Sequence, residues 1–216
     1  MSSLLLGDTA PDFRSNTQHG PFAFHDWLDG SWAVLFSHPK DFTPVCSTEI
    51  ARAARLAGEF RKRRTKIATL SAGTAESHRQ WAAELSDAFG VAIDFPLIVD
   101  DDRLTIARQY GMVHPKLSDI TTVRSVFVID PNKTIRLILT YPHTTGRNFD
   151  EILRVLDSLQ TADRHSIVTP ANWSPGERVL VPFELSDDDA EQKFGSVEKV
   201  LPYLRTVVLE DSAAQA

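Results

Sequence analysis

Cys46 is the single cysteine of a 216-residue chain. It closes the stretch FSHPKDFTPVC, residues 36–46, where Pro39, Thr43 and Pro44 crowd in ahead of the sulfur. A free cysteine is either a small inert hydrophobe or, as thiolate, a nucleophile that can be oxidised. The local backbone separates the two readings. Thr43 has the residue type of a helix N-cap, and Pro44 suits the first helical position, where a missing N–H costs nothing. Cys46 then falls in the first turn. There it meets N–H groups without intrahelical acceptors and the positive end of the helix dipole, and both favour thiolate over thiol. Ile50, Ala53, Ala57 and Phe60 follow at steps of three or four and share a face with Cys46. The spacing predicts one helix from Pro44 to Phe60, closed by the basic run 61–64, with the sulfur on its inward side.

Composition excludes several other chemistries. One cysteine cannot make an internal disulfide or a cysteine-based zinc site. The seven histidines are scattered, and neither a phosphate-binding Gly loop nor an HExxH pair occurs. No metal and no other cofactor is therefore expected. A net charge of −6 argues against nucleic-acid or anionic-membrane binding. The opening MSSLLLGDTAPDF is too short and lacks the basic residues of a secretory signal, and no run reaches the length of a membrane-spanning helix. A cytoplasmic protein without membrane insertion is expected.

The elements that must position Cys46 follow from apolar patterning. WAVLFS (32–37) is a buried strand ahead of the cysteine helix. KIATLSA, FPLIVD and VRSVFVID read as further strands. Thr74 opens a helix with His78, Trp81, Leu85 and Phe89 on one face, and DDRLTIARQYG holds a shorter one. PNK turns VRSVFVID back into TIRLILTYP, and NFDEILRVLDSLQ is an amphipathic helix. Alternating strands and helices that end in a hairpin and a packing helix predict an α/β fold with helices on both faces of a mixed sheet. From about Ala162 prolines break the pattern. RVLVPFEL is a candidate strand and SDDDAEQKF an acidic helix, in a tail with too little core to stand alone.

Pro39, Thr43 and Cys46 form a Pro-x-x-x-Thr-x-x-Cys pattern. Together with FSHPKDFTPVCSTE, Arg124 in VRSVFVIDP, and YPHTTGRNFDEILRVLDSLQ, it resembles the one-cysteine, Prx6-type subfamily of the peroxiredoxins (AhpC/TSA family) over essentially the whole chain. The resemblance implies a thioredoxin-like domain, residues 1–162, and a C-terminal extension, 163–216, at the interface of a homodimer. It implies a thiol-dependent peroxidase in which Cys46 attacks a hydroperoxide and becomes sulfenic acid. Thr43 would hydrogen-bond at the sulfur and peroxide, and Arg124 would bring a cation to both. Pro39 would shield the pocket and His38 would stand beside it. Glu49 and Arg147 would order the arginine network. With no second cysteine, an external thiol or other reductant must reset Cys46.

Two rival functions belong to other classes. A serine hydrolase of the phospholipase kind would use Ser31 in DGSWA with His25. The position of its acid falls on Asn132, which cannot stabilise a histidinium as a carboxylate would. A non-catalytic thioredoxin-fold binding or chaperone module would need neither Ser31 nor Cys46.

Overall fold

The computed structural model describes residues 4–209. The chain divides into two compact units, with the boundary between Phe149 and Asp150.

The first unit is built on a seven-stranded mixed sheet. Its strands are β1 (Arg14–Thr17), β2 (Gly20–Ala23), β3 (Trp32–Ser37), β4 (Thr65–Ala72), β5 (Leu97–Asp100), β6 (Arg124–Ile129) and β7 (Ile135–Tyr141), in spatial order β2-β1-β5-β4-β3-β6-β7. β3, β4 and β5 run parallel; β6 and β7 form the antiparallel hairpin predicted from PNK. Every residue of β3 and β6 is buried, as expected for continuous apolar runs in strands covered on both faces. The helices of this unit are α1 (Phe24–Leu28), α2 (Pro44–Arg55), α3 (Ala57–Lys62), α4 (Ala75–Phe89) and α5 (Thr105–Gln109), with α6 (Phe149–His165) beginning at the boundary.

The mixed sheet and alternating elements match the α/β class read from the sequence. The single helix expected from Pro44 to Phe60 is instead two. Leu56 sits at φ −92°, ψ 1°, between α2 and α3. Its N–H still reaches Arg52 O, and Phe60 N reaches Leu56 O, so the axis breaks without losing those bonds. Gly58, a poor helix former, lies just beyond. The apolar stripe survives the break: Cys46, Ile50, Ala53 and Phe60 are all buried. The hairpin of β1 and β2 was not anticipated. RSNT and GPFA are short and half exposed, and neither shows alternating apolar residues.

The second unit carries the rest of α6, a three-stranded sheet in the order β8-β10-β9, and α7 (Asp187–Phe194). The strands are β8 (Val179–Leu180), β9 (Glu198–Leu201) and β10 (Leu204–Val207). Ile167, Trp173, Val179, Val181, Ala190 and Val207 form its own small core. Ser186 caps α7 by accepting from Asp189 N. Among the described residues no helix is long and apolar enough to cross a membrane.

Candidate active site

Cys46 is fully buried and unpaired in the first turn of α2. The first i→i−4 bond of the helix is Ser47 N to Thr43 O at 2.9 Å, so the N–H groups before it remain outside the helical ladder. Thr43 occupies the N-cap position with extended backbone, but its side chain makes no capping bond. Its Oγ1 donates to Lys40 O at 2.9 Å. The side-chain cap expected of Thr43 is therefore not made, because the hydroxyl is turned to the preceding loop. The hydroxyl proton closes the turn, and the oxygen lone pairs stay available as acceptors.

The cation comes from β6. Arg124 Nη1 lies 3.3 Å from Cys46 Sγ and 2.7 Å from Glu49 Oε2. Nε and Nη2 of the same guanidinium both donate to His143 O, at 3.0 and 2.8 Å. The fork is thus fixed from behind, and one nitrogen is shared between carboxylate and sulfur. Glu49, one turn beyond Cys46, is 3 % exposed. It accepts from Arg147 three times: backbone N to Oε1 at 2.9 Å, Nε to Oε1 at 3.1 Å and Nη2 to Oε2 at 2.7 Å. Arg147 Nη1 donates to Ser37 O and Ser125 O, and its guanidinium stacks 4.7 Å from the Phe36 ring. Burial pulls the Arg147 guanidinium below its ordinary value, and Glu49 opposes that pull. Arg147 therefore acts on the sulfur through Glu49 and Arg124, whereas Arg124 touches it directly.

The remaining expected residues divide. Pro39 is half buried on the loop between β3 and α2. His38 is fully buried, but neither ring nitrogen turns to the sulfur: Nδ1 meets Thr69 Oγ1 at 2.8 Å and Nε2 meets Asp41 Oδ1 at 2.9 Å. His143 escaped the sequence reading because its contribution is a backbone carbonyl, which no side-chain pattern reveals. Its ring is held in turn by Thr122 O at 3.0 Å. Ser37 and Ser125 escaped for a related reason. They accept from Arg147 through carbonyls, while the Ser37 hydroxyl donates to Val123 O.

The serine site does not assemble. No hydrogen bond joins Ser31, His25 and Asn132 to one another among the described residues. His25 Nε2 pairs with Ala10 O at 2.8 Å, and the Asn132 backbone N–H donates to Asp130 Oδ1.

The comparisons agree with this geometry. Residues 6–138 match the AhpC/TSA family, and residues 158–196 match the C-terminal domain of 1-Cys peroxiredoxin. The chain is 46 % identical to the mitochondrial peroxiredoxin PRX1 of Saccharomyces cerevisiae, over 94 % of this chain and 80 % of that one. It is 47 % identical to peroxiredoxin-6 of Rattus norvegicus, over 94 % and 96 %. Among solved structures it resembles the yeast mitochondrial 1-Cys peroxiredoxin with a TM-score of 0.90 at 45 % identity, covering 95 % of this chain and all of that one. Peroxiredoxin 6 of Arenicola marina follows at 0.89 and 40 %, covering 95 % and 98 %. With a buried cysteine at the start of α2, an arginine against its sulfur and matches along most of its length, the chain belongs to the AhpC/TSA family, in its one-cysteine peroxiredoxin branch.

Proposed function

We propose that the chain works as a one-cysteine thiol peroxidase with Cys46 as its peroxidatic residue. The observation that carries this reading is Arg124 Nη1 at 3.3 Å from Sγ, held there by Glu49 and His143 O. The Cys46 thiolate attacks one oxygen of a hydroperoxide, an S–O bond forms and the O–O bond breaks. The bonding pair leaves with the other oxygen, which takes a proton and departs as water or an alcohol, and Cys46 is left as sulfenic acid. Arg124 places positive charge where negative charge develops on the leaving oxygen. Thr43 Oγ1 accepts from the peroxide O–H, and Pro39 keeps bulk water from the sulfur.

With no second cysteine in the chain, the sulfenic acid is reset by an external thiol. The related yeast protein has a thiol-resolving mechanism via glutathione/thioredoxin systems, which makes a small thiol or a thioredoxin-type protein the reductant class to try first. The setting proposed is the cytoplasm. Residues 163–216 are proposed as an extension domain that pairs two copies: Phe183 and Tyr203, 77 % and 67 % exposed, are large apolar surfaces in need of cover. A monomeric mass at micromolar concentration would remove the dimer.

Intact-mass measurement after one equivalent of hydrogen peroxide, with and without a dimedone-type trap, tests the chemistry. A single trapped adduct at Cys46, lost in Cys46→Ser, is expected. No adduct and no gain of oxygen would overturn the reading.

A further inference from the structure

Asp41 lies inside the Pro-x-x-x-Thr-x-x-Cys stretch but takes no step in the chemistry above. It is 4 % exposed, and its carboxylate is clamped. Oδ1 accepts from His38 Nε2 at 2.9 Å; Oδ2 accepts from His78 Nδ1 at 2.6 Å and from Ser77 Oγ at 2.8 Å. His38 stands at the end of β3, and Ser77 and His78 in the first turns of α4, so one side chain ties the loop ahead of α2 to two elements of the scaffold. The packing is close: a Cβ at Gly73 would lie 3.3 Å from His78 Cε1.

The next residue explains what such a clamp is for. Phe42 has φ +55°, the left-handed region, where a bulky side chain is strained by about 1–3 kcal/mol. That conformation persists only if its surroundings hold it. The Thr43 hydroxyl on Lys40 O secures the turn on one side and the Asp41 clamp secures the other.

We propose that Asp41 is a positioning residue. By clamping His38 and His78 it holds the strained turn 40–43 in the form that aims Thr43 Oγ1, and the first turn of α2 with Cys46, at the peroxide. The inference rests on the peroxidase reading.

The donor pattern supplies the test. In Asp41→Asn one oxygen still accepts from His38, but the amide N–H₂ now faces the Nδ1–H of His78, donor against donor. Either that ring moves its proton to Nε2, which is buried without a partner among the described residues, or the amide turns its oxygen to His78 and its N–H₂ to His38, whose proton must then sit on Nδ1 toward Thr69 Oγ1. In both cases one arm of the clamp loses its charge-assisted bond. Two reagents distinguish aim from simple damage. Hydrogen peroxide needs Thr43, Arg124 and the sulfur in register; a haloacetamide needs only an accessible thiolate. Misplacement on the ångström scale costs about 100-fold in rate. The expected result for Asp41→Asn is a peroxide rate about 30- to 100-fold lower, with alkylation within about 3-fold of wild type. His78→Leu and His78→Asn form a second pair on α4, away from the loop. Asn offers an N–H near the place of Nδ1 and should keep the peroxide rate within about 3-fold, while Leu loses about 10-fold. This pair decides the matter should Asp41→Asn fail to fold by near-UV circular dichroism. An unchanged peroxide rate in Asp41→Asn, equal slowing with both reagents, or equal rates for the two His78 variants would overturn the proposal. A wild type inert to peroxide would remove the peroxidase reading and this one together. A reactive wild type with an insensitive Asp41 variant would remove only this one.

Discussion

Two buried carboxylates flank the nucleophile, five residues before it and three after it, and each is gripped by two basic side chains. Glu49 is held by Arg124 and Arg147, Asp41 by His38 and His78. The resemblance ends at the partners. Arginine stays protonated at any pH the protein meets and offers a rigid fork of donors. An imidazole offers one N–H when neutral and titrates near neutrality. The cations that grip Glu49 beside the sulfur are thus of a type that keeps its charge, and the imidazoles that grip Asp41 are of a type that can change it. Charge on the reacting atom and placement of the reacting atom are separate jobs, done on opposite sides of Cys46.

Deleting the shared object sets the scale: Cys46→Ser should abolish peroxide consumption, measured by loss of hydrogen peroxide in the presence of a thiol reductant. The arginine side comes next. Arg124→Leu should lower the second-order rate with peroxide by about 100- to 1,000-fold in stopped-flow, the usual effect of losing one preorganised donor at a developing charge. Arg124→Lys keeps the charge but cannot span Glu49, the sulfur and His143 O at once, so it should recover only part of that loss. Equal rates for Arg124→Leu and wild type would break the assignment of charge to this cluster. Glu49→Gln acts on the same cluster through stability. It leaves two buried guanidinium groups without their counter-charge, and a broken buried ion pair costs about 3–5 kcal/mol. A midpoint in urea unchanged from wild type would show that the pair is not structural.

How much of this was legible in the chain depends on what kind of group does the work. Cys46 with Thr43 and Pro44 was readable because a cap-type residue, a proline and a cysteine at that spacing imply a helix start, and α2 begins at Pro44. The strand WAVLFS was readable because an apolar run this short, bounded by Gly30 and Pro39, suits a buried strand, and all six residues are buried. Arg124, Glu49 and Arg147 could be named only through family resemblance. They lie 75 and 98 residues apart in pairs that no local pattern joins. His143 could not be named, since its backbone carbonyl does the holding. Asp41 lies in plain view inside the quoted stretch, but no local pattern marks it. Its meaning rests on His78, which the helical pattern had assigned to an ordinary apolar face. The break at Leu56 was hidden by a stripe that keeps its phase across both helices.

The smallest effect tests the histidine side, and its sign follows from burial. Burial pushes the His38 imidazole below its ordinary value of 6.5. Asp41 opposes that push, while His78 and Arg147 add to it. The unfolded chain therefore binds a proton near pH 6.5 that the folded chain refuses. Folding stability must fall as the pH drops below that value, by at most about 1.4 kcal/mol per pH unit for one proton. Asp41 adds the same sign in a lower window. Despite its burial, hydrogen bonds from His38 and His78 hold its carboxyl below the ordinary 3.8, so its contribution is present above that value and lost beneath it. In His38→Gln an amide N–H replaces Nε2–H toward Asp41 and cannot titrate. Urea melts between pH 7 and pH 5 should then show a shallower loss of stability in the variant than in wild type. Parallel curves would mean that the proton is taken up elsewhere, and the division between a fixed-charge cluster and a titratable one would not hold at His38.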